Sequence, residues 1–282
     1  MSLNKKRLSS TAYLVITGYN NEYYCKIVGN GEPDKLWYTF LFGGTSTYCI
    51  TISTKGNTPT EASLDRVDYD VRCNKDSSLE KGGGMTKLLS IALWLIKFFF
   101  PTIKNITLTD DSHIECIQGK KMKKMSLASD YILKYNMTWY EKSFHAILPD
   151  TLYNNYKNSM NILTEELDDY EYQVSRLPYL EKYKDIYLKS TTPKQFFENL
   201  RNHYGMEYCS EVCDWIHKYI TILGINLYNQ SWYIPTNTIT IPSGFSMKRI
   251  EKPVVGGKKY TRKCVRKYID DSRSSIGVYE SN

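Results

Sequence analysis

Hydrophobic and polar positions alternate in short runs over the first 75 residues. The runs at 13–18, 22–29, 36–42, 47–53 and 64–73 are rich in Val, Ile, Thr and aromatic residues. Turn-forming residues separate them at Asn20-Asn21, Gly29-Asn30-Gly31, Gly43-Gly44 and Gly56-Asn57. This spacing predicts an antiparallel meander. In the run 64–73, Leu64, Arg66, Asp68, Asp70 and Arg72 share one strand face, and Asp65, Val67, Tyr69, Val71 and Cys73 the other. The first face is mostly charged and the second mostly apolar.

The period then changes. Residues 85–100 are apolar nearly all round, interrupted by Thr86, Lys87, Ser90 and Lys97, and Pro101 follows. Such a stretch reads as a helix buried on most sides. Residues 103–109 alternate again as a strand. From Asp150 to Leu227 the pattern is helical, with N-cap candidates at Asp150 and Thr164. Thr192-Pro193-Lys194-Gln195 reads as a capping box with proline at the first helical position. Phe196, Phe197 and Leu200 form an apolar stripe, Gly205 ends that helix, and a second one is predicted over 206–223 before Gly224. Residues 232–241 return as a strand. The expected class is α+β, divided into an α/β domain at 1–149, a mostly helical region at 150–246 and a basic tail at 247–282.

Between the strand at 64–73 and the buried helix stand Gly82, Gly83 and Gly84. Three glycines leave backbone N–H groups uncovered. The first N–H groups of a helix lack internal partners and lie at the positive end of its dipole, so this is a ready anion site. A flexible connection that binds nothing is the other reading. Met85-Thr86 follows Gly84 where a P-loop has Lys-Ser/Thr, and Lys87 occupies the third glycine position of the Rossmann spacing, so neither of those phosphate loops is present.

The loop resembles the pyrophosphate-binding segment of the GNAT superfamily of N-acetyltransferases, Gln/Arg-x-x-Gly-x-Gly/Ala. Gly82-Gly83-Gly84 supplies Gly-x-Gly, and Leu88 and Leu89 match the apolar start of the helix. Leu79 stands where the family has Gln or Arg, with Lys81 nearby as a replacement cation. Downstream, Trp139-Tyr140-Glu141-Lys142-Ser143-Phe144 resembles the family's Tyr-Glu-Lys-x-Gly-Phe segment, with Ser143 in place of glycine and one residue fewer. The resemblance spans about residues 64–146, roughly a third of the chain. It implies a GNAT-like central mixed sheet and acetyl-CoA held by Lys81, Gly82, Gly83, Gly84 and Met85. The strand backbone at Val71 and Cys73 would meet the pantetheine arm. Tyr140 would protonate the departing thiolate, and Asp68 or Asp70 would accept the proton of an unidentified amine, through water. The plainer reading of the two aspartates is a charge ladder with Arg66 and Arg72. The family's two helices after its first strand have no counterpart in this sequence.

The remaining composition adds three points. The 282 residues are 41% hydrophobic and 24% charged, an ordinary globular balance. Of the net charge of +7, the tail accounts for all: residues 247–267 carry nine basic residues against Glu251 alone. Lys258, Lys259, Arg262, Lys263, Arg266 and Lys267 are the candidate contacts to a polyanion. Gly256-Gly257-Lys258-Lys259-Tyr260-Thr261-Arg262-Lys263 resembles an ending found on many proteins of giant nucleocytoplasmic DNA viruses. That resemblance implies a viral protein, located in the host cytoplasm or the virion, with virion proteins as further partners.

The seven cysteines, Cys25, Cys49, Cys73, Cys116, Cys209, Cys213 and Cys264, are odd in number and form no Cys-x-x-Cys. They predict free thiols in a reducing, intracellular setting. The start, MSLNKKRLSST, lacks a secretory apolar run, and residues 88–100 are too short to span a bilayer. His203, Cys209, Cys213 and His217 invite a metal reading. On one helix, however, Cys209 and His217 would stand about 12 Å apart at 1.5 Å per residue, too far to share a zinc that needs ligands at about 2 Å. No metal is expected. Asp110-Asp111-Ser112-His113 reads as a turn closed by its own side chains, with His113 as a base the alternative. Lys120-Lys121-Met122-Lys123-Lys124 reads as a basic hairpin tip, solvated or facing nucleotide phosphates or an acidic partner. Two functions compete: an acyl-CoA-dependent N-acetyltransferase, and a non-enzymatic virion-associated protein that keeps the fold and binds polyanions through its tail.

Overall fold

A computed structural model describes residues 8–32, 35–44, 47–56, 58–68, 70–73, 83–118, 121–225, 227, 230–241 and 244–251. In chain order these form β1 (Leu8–Gly18), β2 (Asn21–Glu32), β3 (Lys35–Gly43), β4 (Tyr48–Lys55), β5 (Glu61–Val67), α1 (Gly84–Phe99), β6 (Asn105–Thr109), β7 (His113–Gln118) and β8 (Lys121–Ser126). Helices follow: α2 (Leu127–Tyr135), α3 (Trp139–Phe144), α4 (Asp150–Asn161), α5 (Tyr170–Arg176), α6 (Lys184–Tyr187), α7 (Pro193–Tyr204), α8 (Tyr208–Val212) and α9 (Ile216–Ile222). β9 (Ser231–Pro235) and β10 (Ser246–Ile250) come last. The protein is α+β with a large mixed sheet.

The chain divides into two compact units, one of Met1–Leu108 with Ile234–Asn282 and one of Thr109–Tyr233. The boundary expected at 149 therefore falls inside the second unit. The segment from 247 does not begin as a free tail either. Its first residues are β10, which pairs antiparallel with β1 from Thr17↔Ser246 to Tyr13↔Ile250. Residues 252–282, with Lys258, Lys259, Arg262, Lys263, Arg266 and Lys267, lie outside the described residues.

The large sheet has the order β10-β1-β2-β3-β4-β5-β6-β9 among the described residues. Strands β1 to β5 form the expected antiparallel meander, and β6 joins β5 in parallel. Tyr19 and Asn20 make the first turn, with φ of 53° and 60°, the left-handed pair that a two-residue hairpin turn requires. Every second residue faces the core: Ile16, Cys25, Phe40, Phe42, Ile50 and Ile52 are buried. The connection from β5 to β6 runs through α1, whose Leu88, Leu89, Ile91, Ala92, Leu93, Leu95 and Ile96 are buried. Phe99 and Phe100 each bring a ring to within 6.0 Å of Phe40. The helix stops at Phe99 because the residue before Pro101 is disfavoured in helical geometry.

The strand expected at 64–73 is shorter and earlier. β5 starts at Glu61 and ends at Val67, with an extra residue, Asp65, between the pairs Ile52↔Leu64 and Thr51↔Arg66. This bulge breaks the face alternation read from the sequence. Residues Val71–Cys73 then form a short 3-10 turn. The Asp70 carboxylate accepts from the Arg72 backbone N–H at 2.8 Å, and Cys73 is tied to Cys49 by a disulfide.

In the second unit, β7 and β8 pair as a hairpin. Ser126 caps α2 by accepting from the Ser129 N–H at 3.2 Å. Thr192 caps α7 by accepting from the Gln195 N–H at 3.1 Å, but the Gln195 side chain accepts from the Thr191 N–H, so the expected capping box is half formed; Gly205 closes the helix at φ 52°, and Phe196, Phe197 and Leu200 are fully buried. The single helix expected over 206–223 is instead broken between α8 and α9. There the Trp215 indole N–H takes the Glu211 carbonyl at 3.0 Å, while the Trp215 amide bonds Val212. A side chain thus occupies the acceptor that would have continued the helix. A second disulfide, Cys116–Cys209, joins β7 to α8 with Cα atoms 5.4 Å apart.

The two bridges correct the expectation of free thiols; only Cys25 and Cys213 are free among the described cysteines, and both are buried. Disulfides form and persist in oxidising surroundings, which is at odds with the expected reducing setting. Among the described residues no helix is long and apolar enough to cross a membrane.

Candidate functional site

The pairing of β5 with β6 ends early in the first unit. β5 and β6 run together from Glu61↔Asn105 to Leu64↔Leu108 and no further among the described residues. β5 meanwhile stays on β4, through Ile50↔Val67 and a bond from the Asp68 N–H to the Cys49 carbonyl at 2.8 Å. The bulge at Asp65 coincides with the end of the β5–β6 pairing, at the carboxyl ends of two parallel strands. In open α/β sheets ligands bind at that end.

The same end leads to the start of α1. Gly83 is the N-cap, and no side chain caps the first turn. The Gly83 φ of −166° is extended backbone, which any residue adopts, and a Cβ added there meets nothing within 4 Å. Neither packing nor backbone geometry among the described residues demands glycine at 83. Gly84 is buried as the first residue of α1 and Met85 is half-buried. Lys81 and Gly82 lie outside the described residues. Val71 and Cys73 do not present extended strand backbone: both sit in the 3-10 turn, and Cys73 is fully buried in its disulfide. Among the described residues, the last strand residues before the glycines in the chain are Arg66 and Val67 at the end of β5.

Asp68 and Asp70 are each held by an arginine two residues away. Asp68 pairs with Arg66. Arg72 grips Asp70 through its side chain, with Nε 2.9 Å from Oδ1, and through its backbone N–H. These bonds lower the Asp70 pKa to about 2. A carboxylate so held accepts a proton poorly at neutral pH. The charge ladder runs along the chain rather than across strands.

The second unit holds Tyr140. Thr138 opens α3 with a complete capping box. Its hydroxyl accepts from the Glu141 N–H, and the Glu141 carboxylate accepts from the Thr138 N–H at 2.7 Å. Tyr140 and Phe144, one turn apart, are both buried with ring centroids 6.3 Å apart, as the helical spacing predicts. Burial first, and the nearby Asp110 charge second, raise the Tyr140 pKa, so its hydroxyl keeps its proton. Asp110 Oδ1 accepts from the Ser112 N–H at 3.1 Å and from its hydroxyl, which is the turn expected from sequence. Asp110 Oδ2 is buried and has no partner among the described residues, and burial raises that carboxyl's pKa.

Glu141 went unnoticed as a buried anchor. It also accepts from the Tyr156 hydroxyl at 2.5 Å and faces Lys157 at 3.4 Å. Thr138-x-x-Glu141 is capping-box spacing and was the available signal. Lys142, next in the motif, lies over the Tyr135 ring at 3.1 Å. Lys123 of the basic run pairs with Asp214. Cys209 is bridged to Cys116 and so is not a metal ligand, and the described residues hold no group of three metal-ligating side chains. A depression of about 340 Å³ lies among Tyr179, Glu181, Lys182, Tyr183, Glu211 and Asp214. Lys182 and Glu211 already pair within it.

No known family model matches the chain. No curated protein matches its sequence, and no solved structure matches its fold.

Proposed function

We propose that the protein is a GNAT-like, acyl-CoA-dependent N-acetyltransferase acting on an amine. One observation carries the reading. Two parallel strands, β5 and β6, are joined through α1 in the order strand, glycine loop, helix, strand, and no side chain among the described residues caps the first turn of α1. The residues present fit a pyrophosphate. Among the described residues no side chain caps the first N–H groups of α1, and a Cβ at Gly83 would meet nothing within 4 Å. Gly83, Gly84 and Met85 would hold it, with Lys81 and Gly82 from the same loop. The Arg66–Val67 backbone takes the place first given to Val71 and Cys73. Bound coenzyme supplies the acyl thioester.

The resemblance names Tyr140 as the acid; it belongs to the second unit, and burial raises its pKa, so the role rests on the resemblance and is tested by substitution. Asp70 is excluded as a strong base by its grip on Arg72, and Asp68 is restrained by Arg66. Deprotonation of the amine therefore falls to water more than to either carboxylate. Replacing Tyr140 with Phe keeps the ring and its packing but removes the proton. Turnover, followed as free thiol released from acetyl-CoA in the presence of a panel of amines, should fall roughly 10²–10⁴-fold with coenzyme affinity unchanged. Full turnover by Tyr140→Phe removes the catalytic role.

The restrained aspartates also favour a second reading, a virion-associated protein that retains the fold as scaffold and binds polyanions through its basic C-terminal segment. In that case DNA or RNA binding should fall steeply with salt and show little sequence preference, and acetyl-CoA should not bind.

A further inference from the structure

We propose that Cys116, Cys209 and Cys213 form a thiol–disulfide switch, in which the Cys213 thiol takes Cys209 from Cys116 and so releases the β7–β8 hairpin from α8. The three sulfur-bearing residues converge within the second unit, and two ties fix the place. The Cys116–Cys209 bridge joins β7 to α8. Lys123, directly across the hairpin from Cys116, pairs with Asp214. One rung of the hairpin is thus held to α8 at Cys209 and again just past the helix end at Asp214. Cys213 lies between those two anchors. Its N–H bonds the Cys209 carbonyl at 3.1 Å, so the two cysteines stand one helical turn apart on one face. Cys213 is free and buried, and acyl transfer has no use for it.

The exchange is electron-neutral. The Cys213 thiolate attacks the Cys209 sulfur. A Cys209–Cys213 bond forms as the Cys116–Cys209 bond breaks, and Cys116 leaves as a thiolate that takes up the proton Cys213 gave up. No oxidant or reductant is consumed. Cysteines four apart on a helix have Cβ atoms about 5–6 Å apart, and a disulfide needs about 3.5–4.5 Å. The last turn of α8 can supply that movement, because Cys213 is its C-cap and the helix breaks before Trp215. Burial first and Asp214 second raise the Cys213 pKa, with Lys123 opposing them. The thiolate is the nucleophile, so the switch is slow at neutral pH and quickens as pH rises.

The test is disulfide mapping of the full-length protein by mass spectrometry. The protein is held with a trace of glutathione as exchange catalyst at about pH 8.5, near the free-cysteine pKa, then quenched in acid and alkylated. Cys264 lies outside the described residues and is replaced by serine in every sample. The Cys209–Cys213 peptide should appear, with Cys116 becoming alkylatable and Cys213 protected in equal amount. Amide exchange in β7 should then quicken about tenfold or more, since the hairpin has lost its covalent tie. In Cys213→Ser, or in Cys213→Ala if the serine variant does not fold, Cys116 should stay bridged. A wild-type Cys213 that stays alkylatable while Cys116 stays protected overturns the proposal. So does equal alkylation of Cys116 in wild type and Cys213→Ser, which is plain reduction. A Cys116–Cys213 bridge, purified protein without the Cys116–Cys209 bridge, or β7 exchange unchanged after conversion would each overturn it as well.

Discussion

The two units solve the same problem with different side chains. In the sheet unit the ladder satisfies the backbone, and the core is aliphatic and phenylalanine-rich: Ile16, Ile50, Ile52, Phe40 and Phe42 are fully buried. The helical unit is built from short helices, and each end leaves backbone groups without helical partners. Its core is rich in tyrosine and tryptophan, whose polar atoms reach those groups. Tyr187 donates to the Asp168 carbonyl at 2.9 Å. Tyr183 and the Trp215 indole N–H both donate to the Glu211 carbonyl. Tyr156 and Tyr208 donate to the carboxylates of Glu141 and Asp130. Tyr183 and Tyr187 thus fasten interrupted backbone, while Tyr156 and Tyr208 hold carboxylates. Where the chain breaks often, amphipathic rings do what a ladder does elsewhere.

That contrast can be broken by substitution. The largest effect is expected in the sheet. Ile52→Ala removes a fully buried side chain and should cost about 2–5 kcal/mol in urea unfolding. Next is Tyr187→Phe in the helical unit, which keeps the ring and strands the Asp168 carbonyl, for about 0.5–1.5 kcal/mol. Tyr219→Phe is the control: its hydroxyl is buried with no partner among the described residues, so its loss should be neutral or mildly stabilising. Equal costs for the two tyrosines would show that the hydroxyls are not the fasteners described.

Asp110 sharpens the comparison by pH. Its folded pKa is raised by burial, so folding is favoured with the carboxyl protonated, and that contribution is lost as pH rises through the folded pKa. Asp110→Asn keeps the Oδ1 acceptor for Ser112 and removes the buried charge. The variant should be more stable than wild type at neutral pH, and the advantage should vanish below the unfolded aspartate pKa of about 3.9. A variant less stable at neutral pH, in thermal unfolding across that range, would mean that the charge is compensated.

Much of the sheet was legible because alternation is a local signal. The meander, the helix set between two strands and the turn near Asn20 were all readable. The bulge at Asp65 was not, because it concerns which residue of β5 lacks a partner on β4. Nor were the disulfides, whose cysteines are 24 and 93 residues apart. The break before Trp215 arises from an indole N–H taking a carbonyl, which no helical period records. The glycines before α1 and the Tyr140 segment were visible as separate motifs. The capture of Asp70 by Arg72 is a side-chain geometry that the spacing allowed but did not require. β10 was hidden within a charge run that dominates its composition.

The central claim is that the end of the β5–β6 pairing and the uncapped start of α1 accept a coenzyme pyrophosphate. The direct measurement is a calorimetric titration of acetyl-CoA into wild type and Gly83→Phe, with the unfolding temperature of each recorded. A Cβ added at 83 meets nothing within 4 Å among the described residues, so the fold should persist. The account predicts heat of binding for wild type, its loss in Gly83→Phe, and matching unfolding temperatures without ligand. No heat and no thermal shift for wild type at about millimolar coenzyme, a concentration at which an affinity of even ~4 kcal/mol would register, contradicts it; so does a Gly83→Phe variant that binds as wild type does.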